Sequence, residues 1–356
     1  MAQKRVPRDL PTGGEFRGNV HDEAESPLDR RIGIGKASEM VGVSPQYLRF
    51  LTNTGVLSAM TTLGGHRRYD PDLLLEEWER FRGGKDDSVM LSYEREGLDE
   101  AKVWEEVRNH LPDLSSGARG ILSYAVTEVV NNAIDHSHGT RVDVTIQSSD
   151  DTVTIEVKDD GIGAFESMSR GLGLGGSEYA PHEITKGKRT TAPDKHAGEG
   201  LFFSSRMVDR FLLSSNGVAL VSNRHEGFGV GDGDDSGTTV TFSLDPRTKR
   251  SSSEVFDEFA PIGDDDDVGM THTSPSVSTI PLRGDMVSRS EAKRLAVGLE
   301  KFSTVELDLR GVDFVGQGFA DELLRVWRNQ NPGTTFTIKG GGRSVRAMML
   351  RHLGSE

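Results

Sequence analysis

The chain has 356 residues, 34% of them apolar and 42 of them glycine, with a formal net charge of −14 and no cysteine. Those values exclude disulfides, thiolate metal sites and cysteine nucleophiles, and the charge excludes a protein that coats nucleic acid in bulk. The length accommodates two or three cored domains and the low apolar fraction predicts sizeable linkers; with no apolar run of about 18 residues and no signal-peptide core, a soluble cytoplasmic protein without membrane association is the expectation.

Residues 1–31 carry Pro, Gly and charge without an apolar period and read as a disordered arm. The next unit, 32–82, is periodic. Ala37, Met40 and Val41 form a short apolar stripe that Gly42 breaks. Ser44 stands as an N-cap and Pro45 at the first position of a second helix, whose apolar face is Leu48, Phe50 and Leu51. Two short helices about a glycine turn make a helix-turn-helix pattern. TTLGGHRRYD (61–70) predicts a hairpin turning at Gly64-Gly65, and Leu73, Leu74 and Trp78 predict a third helix. Between 36 and 68 four Lys/Arg accompany one acidic residue, the local basic excess that phosphate contact requires.

The phrases GVSPQYLRFL and GGHRRY resemble the small α winged helix-turn-helix DNA-binding domain of the MerR and excisionase families. The resemblance implies double-stranded DNA as a partner, with Gln46, Tyr47 and Arg49 on the recognition helix and Arg67 and Arg68 on the wing. GGKDD at 83–87 stops the long dimerisation helix that MerR activators carry, so a homodimer would have to form elsewhere; 83–97 reads as a linker.

Residues 98–245 alternate helical and strand patterns. A helix from Ser115 or Ser116 to His136 places Glu128 and Asn132 four apart on one side. An amide oxygen suits Mg²⁺, and a carboxylate can orient or deprotonate an attacking hydroxyl; Asn131 is the second choice for the amide. RVDVTIQ (141–147) and TVTIEVKD (152–159) alternate as antiparallel strands. The second runs into Asp159-Asp160-Gly161-Ile162-Gly163, where a strand end can hold a carboxylate at the back of a pocket and the glycines admit close approach. Residues 164–197 are glycine-rich and then basic (Lys186, Lys188, Arg189, Lys195), and read as a mobile lid whose cations are set to meet phosphates. Gly198-Glu199-Gly200-Leu201 opens a helix FFSSRMVDRF (202–211), a phosphate cradle of glycine N–H groups. Gly237-Thr238-Thr239 begins the last strand.

In order and spacing, TEVVNNAIDH (127–136), KDDGIG (158–163), HAGEGLFF (196–203) and SGTTVTFSL (236–244) resemble the GHKL-type ATP-binding domain of gyrase, heat-shock protein 90, histidine kinases, MutL and anti-sigma-factor kinases. The resemblance implies a two-layer α/β sandwich of the Bergerat type, with ATP and Mg²⁺ as cofactors. It also implies Glu128 as the catalytic base, Asn132 as the Mg²⁺ ligand and Asp159 as acceptor for the adenine amino group. Further nucleotide contacts are implied for Gly161, Gly163, Lys195, Gly198, Gly200, Leu201 and Thr238. GLFF stands where histidine kinases often carry a second glycine pair, which puts fast turnover in doubt.

Residues 246–275 carry TKRSSS, GDDDD and THTSPS and read as an irregular connector with one short helix at 253–260. In 276–356, strand TVELDLRGVDFVG (304–316), helix 318–330, strand TTFTIKG (334–340) and helix 344–353 give an α/β layer. LDLRGVDFVGQGFADELL resembles the STAS fold of anti-anti-sigma factors, and more closely the STAS-like domains fused to ATPase modules. Phosphorylatable STAS domains place a serine at the turn where this chain has Val315, Gly316, Gln317 and Gly318, and Gln317 accepts no phosphoryl group. That favours a docking or regulatory role toward a protein partner. The whole reads as an ATP-binding, DNA-binding regulator in which nucleotide occupancy switches DNA or partner binding. The alternative is an anti-sigma-type serine/threonine kinase acting through Glu128 on a separate substrate; slow ATPase activity is also open.

Overall fold

The computed structural model describes residues 31–42, 48, 51–52, 57–62, 66–81, 88–149, 151–188, 198–224, 227–233, 236–261, 270–280 and 288–353. The arm 1–30, the Gly64-Gly65 turn and the GGKDD segment lie outside them. Among the described residues no helix is long and apolar enough to cross a membrane.

The N-terminal module consists of β1 (Ile32–Gly33), α1 (Ile34–Val41), β2 (Met60–Thr61), β3 (Arg67–Tyr69) and α2 (Pro71–Phe81). Helix α1 stops because Gly42 turns left-handed at φ 71° and returns its N–H to the Ser38 carbonyl. The three strands pair antiparallel in the order β1-β3-β2, with Met60 opposite Arg68, which is the expected hairpin. Ala37, Leu48, Leu51, Leu57, Tyr69 and Leu74 form the core.

The central unit is a seven-stranded antiparallel sheet with helices on one face. In chain order it runs β4 (Val89–Glu94), α3 (Glu100–Arg108), α4 (Ser116–His136), β5 (Arg141–Ser148), β6 (Val153–Asp159), α5 (Ala164–Leu172), α6 (Ala180–Lys186), α7 (Gly200–Met207), β7 (Arg210–Ser215), β8 (Val218–Asn223), β9 (Gly227–Asp232) and β10 (Thr238–Leu244). The sheet order is β4-β5-β6-β10-β7-β8-β9. Ser115 caps α4 by accepting from the Ala118 N–H at 3.0 Å, and Ile121, Leu122, Ala125, Val126, Val129, Val130 and Ala133 bury its inner face.

Three stretches differ from the sequence reading. Residues 89–94, within the expected linker, form the edge strand β4, because Val89, Leu91 and Tyr93 alternate inward and pair with β5. The expected helix 202–211 ends at Met207: Val208 is extended, the Asp209 N–H bonds to the Ser243 carbonyl at 3.0 Å, and Phe211 joins β7. The expected lid contains two helices, α5 and α6.

The last module follows α8 (Ser252–Phe259), close to the helix expected at 253–260, and begins with β11 (His272–Thr273), inside the expected connector. It continues through α9 (Arg289–Ala296), β12 (Thr304–Asp308), α10 (Gln317–Asp321, with the helical turns Glu322–Trp327 and Arg328–Gln330), β13 (Thr335–Lys339) and α11 (Arg343–Leu353). Its three strands are parallel in the order β11-β12-β13, and its apolar interior is continuous with that of the central unit.

The central sheet is covered unevenly on its second face. In β6 and β10 that face carries Thr154, Glu156, Lys158, Thr239, Thr241 and Ser243. In β7 and β8 it carries Leu212, Ala219 and Val221, which are buried in the core of the N-terminal module. The runs FLL and VALV are therefore apolar at consecutive positions because both faces are covered.

Candidate functional site

A cavity of about 330 Å³ lies between α4, the sheet and the segments that carry α5 to α7. Tyr124, Glu128, Asn132 and His136 follow one another at four-residue steps along α4, and all four line it. Val157, Met168, Ile184, Leu213 and Val240 make an apolar end, where the Asp159 carboxyl enters from the end of β6. Asp159 is buried, and burial raises its carboxyl above the ordinary aspartate range although Gly161 N–H donates to it at 2.9 Å and the Thr238 hydroxyl also bonds to it. Gly198, Glu199, Gly200 and Leu201 bound the other end, where α7 begins.

The loop after β6 is held by contacts within the chain. Asp160 accepts from Thr140 N–H and hydroxyl, both at 2.7 Å, and from Arg141 N–H at 2.9 Å, which lowers its carboxyl to about 2. A Cβ on Gly161 would overlap the Ser137 carbonyl. Gly163 has φ +90° and packs against the Asn216 amide. Neither glycine is among the residues that line the cavity; their close approach here is to Ser137 and Asn216. Asn216, at φ 51° in the β7–β8 turn, accepts from Glu166 N–H at 3.0 Å and donates to the Ile162 carbonyl at 2.9 Å, holding the start of α5.

Of the residues singled out in the sequence, the structure brings Glu128, Asn132, Asp159, Gly198, Gly200, Leu201 and Thr238 to one cavity. Lys195 lies outside the described residues, as does Arg189. Lys186 is directed away from the cavity: it is 1% exposed, pairs with Glu183 at 2.9 Å and donates to the Arg294 and Val297 carbonyls at the end of α9. A cation there complements the carboxyl end of a helix. Tyr124, His136, Ser137 and Glu199 also line the cavity and were missed; the four-residue stripe on α4 was the available signal for the first two. Burial raises the Glu199 carboxyl, and burial beside Glu128 and Glu199 raises the Tyr124 hydroxyl. Among the described residues, no group of three or more His, Cys, Asp or Glu is placed to hold a metal by itself.

In the N-terminal module, Arg68 on β3 is exposed and Arg67 half-buried. Gln46, Tyr47 and Arg49 lie outside the described residues.

Three family models match. The model for histidine kinase-, DNA gyrase B- and HSP90-like ATPases covers residues 117–248, that for MerR family regulatory proteins covers 33–69, and that for a STAS-like domain of unknown function covers 291–345. No curated protein matches the chain significantly. The chain is therefore a fusion, in order, of a MerR-type domain, a GHKL-type ATPase domain and a STAS-like domain.

Proposed function

We propose that this protein is an ATP-binding, DNA-binding regulator in which occupancy of the central cavity switches DNA or partner binding. The observation that carries this reading is the two-sided role of β7: Leu213 lines the cavity while its neighbour Leu212 belongs to the core of the MerR-type module. A change in the cavity wall is then a change at the seat of the DNA-binding module.

The cavity fits a nucleotide with Mg²⁺. Its apolar end suits a base, and the buried Asp159 carboxyl offers an acceptor for an exocyclic amino group. Its other end offers the N–H groups at the start of α7, which favour an anion. The Asn132 amide supplies a hard oxygen of the kind Mg²⁺ requires, with phosphate oxygens and water completing its shell. Bound Mg-ATP supplies a concentrated negative charge and a transferable phosphoryl group. Asn132 would hold the metal, Asp159 and Thr238 would orient the base end, and Glu128 would act as a proton acceptor where turnover occurs. Arg67 and Arg68 would contact DNA phosphates from the wing.

Calorimetric titration with Mg-ATP, beside the Asn132→Ala variant, tests the site; wild type should saturate and the variant should lose binding. Fluorescence anisotropy with labelled duplex DNA, with and without ATP, tests the switch. A well-folded wild type that binds no ATP would leave the cavity as a scaffold, and ATP-independent DNA affinity would remove the switch.

A further inference from the structure

A second cavity, also of about 330 Å³, lies where the C-terminal module meets the central unit. It shares no lining residue with the first. It opens at the carboxyl ends of the parallel strands β12 and β13, whose last residues, Asp308 and Lys339, both line it. That end of a parallel sheet is where α/β folds hold their ligands. The opposite wall comes from the central unit, with Arg206 on α7, Ser222 on β8, and Gly227 and Phe228 on β9. Gly227 has φ +97°, and a Cβ there would stand 3.0 Å from Arg310 Nε and 3.1 Å from Asp308 Oδ2. The bare backbone keeps this corner open.

The interior carries unbalanced positive charge. Arg206 lies with its guanidinium carbon 3.5 Å from the Phe202 ring centre. It donates to the Phe202 carbonyl at 3.2 Å and to the Thr185 and Ser274 carbonyls at 2.9 Å each. Arg250 donates to the Met207 carbonyl at 3.0 Å and the Arg206 carbonyl at 3.1 Å. These acceptors are neutral, and among the described residues no carboxylate is in contact with either guanidinium. A guanidinium also has more N–H groups than these carbonyls take up. Arg310, by contrast, pairs with the buried Asp308 at 2.6 Å. Three half-buried guanidiniums and one carboxylate leave an excess of two positive charges inside the cavity, in a chain whose net charge is −14. The rim is different. Arg224 and Lys339 are exposed and stand 3.8 Å from Asp209 and 3.1 Å from Glu306, and Glu254 and Glu258 are exposed as well. Water and salt screen the rim charges, and screen the interior much less.

We infer that this cavity is a second ligand site, for a small dianion of the phosphate type held between the central unit and the C-terminal module. A phosphomonoester carries about 1.5 to 2 negative charges at neutral pH, which matches the interior excess. Its oxygens accept on several sides, which suits guanidiniums that approach from α7, from the segment before α8 and from just beyond β12. The ligand would reinforce a seam that is already bonded. The Ser276 N–H donates to the Thr185 hydroxyl at 3.2 Å and the Thr273 hydroxyl to the Lys186 carbonyl at 2.6 Å, so the lid helix α6 is docked on the C-terminal module beside Arg206. The site does not depend on nucleotide binding in the first cavity.

The full chain, free of Mg²⁺ and nucleotide, is titrated calorimetrically with inorganic phosphate and with acetate, and amide exchange is followed with phosphate present. Phosphate should saturate, and the monoanion acetate should bind at least about tenfold more weakly. Phosphate should slow exchange over 227–232 and 335–339. Arg250→Gln should weaken phosphate binding at least about tenfold. Glu258→Gln removes a negative charge from the rim and should tighten phosphate binding by about threefold, a gain that no misfolded protein gives. Absence of saturable phosphate binding, or acetate binding of equal affinity, overturns the proposal. So does slowed exchange confined to 127–136, which would put the phosphate in the first cavity. Wild-type phosphate affinity in Glu258→Gln, or in a folded Arg250→Gln, overturns it as well.

Discussion

Leu212 and Leu213 are consecutive on β7 and serve two different domains: Leu212 is packed into the MerR-type module and Leu213 walls the central cavity. The alternation of a strand makes this division unavoidable once both faces of the sheet are covered. Leu212→Ala should cost about 2–4 kcal/mol of stability and, because coupling through β7 is reciprocal, shift ATP affinity by less than Leu213→Ala does. Leu213→Ala should weaken ATP by about tenfold, because less apolar surface is left to cover the base. Thermal unfolding beside calorimetry separates them, and wild-type ATP affinity in Leu212→Ala would remove β7 as the route of the switch.

Gly200 begins α7 where a Cβ would overlap the Glu128 carboxylate. Alanine normally favours a helix over glycine by about 1 kcal/mol, so the sign of the result is informative. Gly200→Ala should displace Glu128 and weaken Mg-ATP binding, with stability changed by less than about 1 kcal/mol because the carboxylate end of Glu128 can move aside. A variant that melts higher than wild type and binds ATP normally would place Glu128 elsewhere in solution.

Asn216 holds the loop that begins α5 and adopts a left-handed backbone at φ 51°. Asn216→Ala loses both of these bonds and a third from the Ser215 hydroxyl and sits poorly at that φ, for a cost of about 2 kcal/mol. Amide exchange at 162–167 should rise more than in the rest of the sheet. Uniform exchange would show that the turn is held by other groups.

His182 is buried and kept neutral, its affinity for a proton lowered well below the ordinary value of 6.5 by burial first and by nearby Lys186 second. The unfolded chain takes up that proton near 6.5 and the folded one resists it. Stability is therefore fully present above the unfolded value and falls as pH drops through it, by up to about 1.4 kcal/mol per pH unit. Denaturant titrations at pH 7.5 and 5.5 should show the loss, and His182→Gln should reduce it. An identical pH dependence in the variant would assign the loss to other groups.

Arg67 and Arg68 lie on β3 of the module that matches MerR regulators. Replacing both by alanine should weaken duplex binding and flatten the slope of log affinity against log salt by about 0.9 for each phosphate that is no longer neutralised. An unchanged slope would remove this strand from the interface.

Box order and helical spacing made the three modules legible, because the residues that mark a helix turn or a strand end act within a few positions of one another. Glu128 with Asn132, and Asp159 at a strand end, could be placed on that basis. The tight packing of Gly161 and Gly163 could not, since Ser137 and Asn216 meet them from distant segments. Lys186 looked like a lid cation for phosphate and is in fact a cap on α9, more than a hundred positions later.

By itself, then, the sequence determined which modules the chain contains, where their polar side chains recur and which of those recurrences share a helix face. Only the tertiary structure decided that one strand serves two cores and that the lid helix docks the C-terminal module. Local patterns record local periodicity; burial of both faces of β7, and of a charged helix such as α6, depends on surfaces that meet only when the chain has folded.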